Sequence, residues 1–410
     1  MKQSTLILSS FILWFTISCG TSTPETTDSE GDLVAAQELS FEPRKIADSL
    51  SFLWAHTPAE VTGDDLGDVV FINNNSTGGF LGYLTGQQET DRWKLDTIAQ
   101  TPPTGGLFAA GDLEAADLDG DGDTDVFAVK HPGEWQDSDA PAELFWYENP
   151  DWQVHSIGTV PDALKDVNFA DFNQDGKMDM AVLTFEENTL SVFQQNGPDD
   201  WERVQFLSNH NNFHEGMATG DVDGDGFPDA AVNGYVLYSP GEDLTQPWRE
   251  ENLNERWNTQ TGDWSRNGTK AFMRDLDGDG RSEIFVSHSE RAGYPVVYYQ
   301  NTGDGWQEHV IIDSLPACHT LQVYDFDLDG DYDVLAGVNK DRAVNLEQTE
   351  FPVMIFLSED NYSQWKPMVI GEDGIYNGQA FDYDGDGDTD ILRYPGHMAT
   401  ELFLWENQVR

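Results

Sequence analysis

Asp117-Leu118-Asp119-Gly120-Asp121-Gly122-Asp123-Thr124-Asp125 is a nine-residue acidic stretch from which the rest of the chain can be read. Carboxylates at alternate positions 1, 3 and 5 (Asp117, Asp119, Asp121) point into one small space, and a glycine at position 6 (Gly122) permits a sharp reversal. The carbonyl of position 7 (Asp123) adds an oxygen, and position 9 (Asp125) closes the shell. An all-oxygen cage of this kind suits a hard cation such as Ca²⁺.

The stretch recurs five more times in the same register. The second copy offers Asp171, Asn173, Asp175 and Asp179, with Lys177 at position 7. The third offers Asp221, Asp223, Asp225 and Asp229, with Phe227 at that carbonyl position. Asp275, Asp277, Asp279 and Glu283 form the fourth, around Arg281. Asp325, Asp327, Asp329 and Asp333, around Asp331, and then Asp382, Asp384, Asp386 and Asp390, around Asp388, complete the set. Six loops in one register predict about six bound Ca²⁺ ions.

These loops depart from the EF-hand after position 6, because position 12 is Ala128, Val182, Val232, Val286, Ala336 and Arg393 where that motif needs Glu. Short apolar runs follow instead, such as Val126-Phe127-Ala128-Val129 and Met180-Ala181-Val182-Leu183, and these read as strands. The last loop position falls at 125, 179, 229, 283, 333 and 390, so the steps are 54, 50, 54, 50 and 57 residues. Another 57 residues back lies Asp68, in Glu60-Val-Thr-Gly-Asp64-Asp-Leu-Gly-Asp68, a worn seventh copy with Asp65 at the glycine position. A period near fifty residues fits one four-stranded propeller blade.

Each unit also carries a Trp with an apolar residue five places on: Trp93/Ile98, Trp152/Ile157, Trp201/Phe206, Trp248/Leu253, Trp306/Ile311 and Trp365/Ile370. These tryptophans are expected to pack blades. The final unit ends at Arg410 without such a segment, while Phe41 to Ile46 shows the same spacing at the other end. Residues 41 to 47 are therefore expected to complete blade seven and leave the ring without an open edge.

Over residues 41 to 410 the chain resembles the VCBS/FG-GAP repeat proteins, the repeat class that also builds the integrin alpha-subunit head. That resemblance implies an all-β, seven-bladed β-propeller, with the acidic loops joining the first and second strands of each blade on one face.

The first residues, Lys2, the apolar stretch Leu6 to Ile17 and Ser18-Cys19-Gly20, read as an export signal of lipoprotein type spanning residues 1 to 19, with Cys19 as the lipidated residue. Residues 20 to 40 read as a flexible acidic tether. An outer-membrane or cell-surface lipoprotein is expected, or else a periplasmic or secreted protein, touching membrane only through its lipid. With Cys19 lipidated, Cys318 has no partner, so metal must supply the cross-links that exported proteins take from cystines.

The net charge of -54, from 75 acidic against 21 basic residues, excludes nucleic acid and anionic membrane surfaces as partners. Positions 1, 3, 5 and 9 of the six loops commit 23 carboxylates to ions, Asn173 being neutral.

In each unit the innermost strand precedes the loop, and two-residue alternation turns its polar side to the central channel. Counted back from the first loop Asp, the polar positions are Asp112/Glu114, Asp166/Asn168, Thr320/Gln322 and Asn377/Gln379, with Lys270 and Phe272 in blade five. The channel mouth away from the acidic loops is expected to gather Asp112, Asp166, His214, Glu215, Lys270, His319 and Asn377 as ligand-binding residues. His319 beside Cys318 is not read as a nucleophile pair, since adjacent strand residues face opposite ways. No residue is assigned to catalysis. Two functions stay open: a binding or adhesion module for extracellular glycan or protein, and a carbohydrate-active enzyme, a polysaccharide lyase or sugar dehydratase, working at that mouth.

Overall fold

A computed structural model describes residues 39–51, 53–73, 79–88, 92–131, 140–185, 189–207 and 215–409. The signal, Cys19, nearly all of the tether and His214 lie outside the described residues. Leu39, read as tether, is instead 5% exposed: it packs with Trp405 and Val409, so the propeller core begins there.

The chain forms seven antiparallel sheets in sequence order, six of four strands and one of five. In blade three, Leu164–Ala170 lies innermost, followed by Asp179–Thr184, Leu190–Gly197 and, outermost, Asp200–Leu207. The other blades repeat this order. In blade two the innermost strand is divided into Leu107–Phe108 and Ala115–Ala116, both paired with Asp125–His131.

Burial follows radial position. Second strands such as Asp68–Asn73, Asp179–Thr184 and Asp333–Val338 are buried along their whole length, because neighbouring blades cover both faces. Outer strands such as Gln364–Gly371 are half-buried, with Trp365, Met368 and Ile370 packed against the core and Val369 exposed.

The ring closes through the ends of the chain. Phe41–Ala47 pairs antiparallel with Leu402–Asn407, Phe41 opposite Asn407 and Arg44 opposite Leu404. Ile46 at the end of this strand is wholly buried beside Leu402 and Leu404. The protein is thus all-β and seven-bladed, with blade seven completed by an N-terminal strand. Among the described residues the helices are two short ones, Glu255–Asn258 and Lys340–Asn345, and no helix is long and apolar enough to cross a membrane.

Candidate functional site

On one face, the six acidic loops hold the turn from first to second strand. Position 2 of every loop is a buried apolar residue (Leu118, Phe172, Val222, Leu276, Phe326, Tyr383), which pins the loop to the core and leaves the carboxylates of positions 1, 3 and 5 partly or fully exposed while position 9 is buried. The position 6 glycines have positive φ, 99° at Gly122 and 95° at Gly387, a conformation that side chains disfavour. Position 9 serves as a staple. Asp125 accepts the N–H of Leu118 at 2.9 Å with one oxygen and the N–H of Asn149 with the other, also at 2.9 Å. Asp229, Asp333 and Asp390 repeat this with Val222 and Ser239, Phe326 and Ser358, and Tyr383 and Asn407.

Ligand atoms of Asp117, Asp119 and Asp125 lie within 4.8 Å of one another, as do those of Asp325, Asp327 and Asp333. Matching groups form from Asp221, Asp223 and Asp225 and from Asp275, Asp277 and Asp279. Several buried oxygens in the loops make no hydrogen bond: one each of Asp179 and Asp325 and both of Asp388. Burial pushes Asp125 up to about 6, Asp179, Asp229 and Asp333 up to about 7, and Asp390 up to about 8. An unbonded, buried carboxylate is the donor a divalent cation satisfies, so the residues fit Ca²⁺. Blade one differs. Asp65, with a φ of 67°, stands where the other loops have glycine, although Asp68 keeps the staple to Val61 and Gly86 and Glu60 accepts the N–H groups of Gly63 and Asp64 as Asp117 does those of Gly120 and Asp121.

The channel runs through the ring as a cavity of about 440 Å³ walled by Asp112, Glu114, Asp166, Asn168, Lys270, Thr320, Gln322, Asn377 and Gln379. Several of these residues tie adjacent innermost strands together: Asp112 accepts the N–H of Val167 at 3.3 Å, and Asp166 that of Gly216 at 3.0 Å. Burial pushes Glu114 up to about 8, the nearby Asp112 adding to it, and raises Asp166 to about 6.

At the end opposite the acidic loops the channel opens into a cavity of about 610 Å³. Its wall includes Trp54, Lys165, Glu215, Trp264, Glu290, His319, Arg342, Tyr376 and His397. Of the residues expected at this mouth, Glu215 and His319 reach it. Asp112, Asp166, Lys270 and Asn377 lie deeper, on the channel wall. Lys165 comes from the innermost strand of blade three, Leu164–Ala170, and the rest from connections between strands. Arg342, for example, is carried by the helix Lys340–Asn345, capped by the side chain of Asn339.

Charges here are matched across blades. Lys165 Nζ stands 2.6 Å from Glu215 Oε2, and Arg342 Nε 3.0 Å from Glu290 Oε2. Burial alone would lower Lys165, but the carboxylate of Glu215 outweighs it and raises the ammonium above its ordinary value. His319 Nε2 lies 3.4 Å from Glu290 Oε1, and its ring packs 4.4 Å from that of Tyr376. Trp264, 50% exposed, carries the Arg342 guanidinium 4.8 Å above its ring. Cys318 takes no part: burial pushes its thiol up to about 11. Trp257, by contrast with Trp264, is fully buried and bonds Tyr299.

A ring of seven blades with acidic loops on one face and a polar mouth on the other defines a repeat propeller. The FG-GAP-like repeat family matches residues 117–182, 171–232 and 275–336, each stretch beginning on the first aspartate of a loop. The chain is an FG-GAP repeat β-propeller. No curated protein matches it. Among solved structures, a lectin from Agrocybe aegerita, described for its specific recognition of non-reducing terminal N-acetylglucosamine, aligns with a TM-score of 0.50 and 14% identity, over 86% of this chain and 85% of that one. That likeness is one of fold.

Proposed function

We propose that the protein is a calcium-stabilised, exported propeller, anchored through Cys19, that binds an extracellular glycan at the mouth opposite its acidic loops. The observation that carries this reading is the cavity of about 610 Å³, in which Trp54, Trp264 and Tyr376 offer flat apolar faces beside the matched charges of Lys165, Glu215, Glu290 and Arg342. Few polar groups of fixed orientation beside aromatic surface suit a sugar, which has apolar ring faces and hydroxyls at its edge. The buried ion pairs hold their own geometry before any ligand arrives, which lowers the ordering cost of binding. Six loops suited to Ca²⁺ supply rigidity to a chain in which lipidation of Cys19 would leave Cys318 without a cysteine partner. The lectin of similar fold recognises a sugar, which agrees with this reading without carrying it.

The test is a glycan panel probed in calcium buffer with wild type, Trp264→Ala and Arg342→Ala. Retention on a glycan that both variants lose supports the proposal, and retention that neither variant changes refutes it.

One observation favours a second reading, a carbohydrate-active enzyme. His319 and Glu290 lie 3.4 Å apart in a cleft of sugar size, the kind of ionisable pair that can move a proton. Unsaturated or dehydrated product appearing from a retained glycan, and disappearing with His319→Gln, would establish chemistry at the mouth.

A further inference from the structure

The floor of the mouth holds three buried groups from successive blades: Glu215, 1% exposed, Glu290, 6%, and His319, 2%. One ligand atom from each lies within 4.8 Å of the others. We propose that Glu215, Glu290 and His319 form a separate site for a first-row divalent cation of the Zn²⁺ type, unlike the all-oxygen loops on the opposite face.

The imidazole is oriented for this. Asn377 Nδ2 donates to the carbonyl of Trp54 at 2.8 Å, which turns Asn377 Oδ1 toward His319 Nδ1 at 2.9 Å. Nδ1 is therefore the nitrogen that carries hydrogen in the neutral ring, and Nε2 presents its lone pair to the carboxylate of Glu290. A lone pair facing carboxylate oxygens is repelled unless a proton or metal ion stands between them.

Both carboxylates are held by their outer oxygens. Lys165 takes Glu215 Oε2 at 2.6 Å, and Arg342 takes Glu290 Oε2 at 3.0 Å. Glu215 Oε1 receives the hydroxyl of Ser289, and Glu290 Oε1 faces His319 Nε2 at 3.4 Å. Two donors on one tetrahedral zinc with bonds of about 2.1 Å stand about 3.4 Å apart, so this pair already has the right separation. Gly268 makes the convergence possible, since a Cβ there would come within 2.9 Å of Glu290 Cγ and 3.0 Å of Glu215 Oε1.

One imidazole and two carboxylates select zinc and its neighbours over calcium, which prefers oxygen alone. The fourth side is open to the cavity. The site lies inside the pocket assigned to glycan, but its metal is counted with no glycan present, so either reading can fail while the other stands.

Tag-free protein kept in millimolar calcium is equilibrated with Zn²⁺, freed of unbound metal by gel filtration, and its zinc counted by mass spectrometry, with affinity taken from calorimetry. Wild type is expected to retain one zinc per chain. His319→Gln and Glu290→Gln are expected to lose it, and Asn377→Ala to bind about 10–100-fold more weakly, as for other residues that orient a metal-bound histidine. Lys165→Met removes the ammonium competing for Glu215 and is expected to bind more tightly, a change that misfolding cannot mimic. Wild type without stoichiometric zinc, zinc unaffected by His319→Gln, or weaker binding in Lys165→Met would each overturn the proposal.

Discussion

The side-chain amide of Gln195 donates to the carbonyl of Leu118 at 2.6 Å, crossing from the third strand of blade three to the acidic loop of blade two. Its backbone N–H meanwhile donates to Asp179 Oδ1, the staple of its own blade, at 2.9 Å. Asn149 and Asn407 repeat the arrangement toward Val61 and Phe326, as does Ser239 toward Phe172, and Asn301 likewise reaches Val222. Five neighbouring pairs of loops are therefore linked by polar side chains, one blade to the next, while the corresponding hydroxyl of Ser358 in blade six makes no such bond.

Gln195→Ala leaves the Leu118 carbonyl buried without its donor. The expected loss is about 1–3 kcal/mol, read as a lower urea midpoint in saturating calcium. An unchanged midpoint would mean the linkage adds no stability.

Calcium itself is the second prediction. A ligand bound only by the folded state adds about 2.7 kcal/mol per site at a hundredfold excess over its Kd. EDTA is expected to lower the melting temperature strongly, and added Ca²⁺ to restore it. An identical melt with and without chelator would remove calcium from the account.

Ring closure gives a third. Ile46 is fully buried in the strand that completes blade seven, so Ile46→Ala is expected to cost about 2–5 kcal/mol in chemical denaturation. If the strand were a dispensable arm, the variant would unfold at the wild-type midpoint.

The channel predicts a pH dependence. Burial, reinforced by Asp112, raises Glu114 from 4.5 to about 8, so the folded protein holds this proton more tightly than the unfolded chain. The stability it contributes is complete below 4.5 and is lost as pH rises from there through about 8. Glu114→Gln keeps the neutral form at every pH. In calcium buffer the variant is expected to match wild type in mild acid and to melt progressively higher than wild type as the buffer is made alkaline. A difference independent of pH would show that Glu114 titrates in its ordinary range.

The blade number, the loop register and the joining of the termini were legible in the sequence because each is periodic or complementary: six loops in one register, a spent seventh at Asp68, and Phe41 to Ile46 standing where the last unit lacks a strand. Strand alternation likewise told which of Asp112, Lys270 and Asn377 face the channel. The mouth was less legible. Trp54, Glu290, Arg342, Tyr376 and His397 lie outside the repeated strands, in connections that have no common length, so periodicity says nothing of them. The polar links between blades left a signal that spacing hid, since their donors follow position 9 by anything from 10 residues at Ser239 to 24 at Asn149.

Retention on a glycan panel, compared between Arg342→Ala at the mouth and Asp225→Asn on the acidic face, tests the central claim most directly. With calcium saturating, the account predicts that wild type and Asp225→Asn retain the same glycan while Arg342→Ala releases it. Full retention by Arg342→Ala together with loss in Asp225→Asn would place recognition on the acidic face and contradict the account.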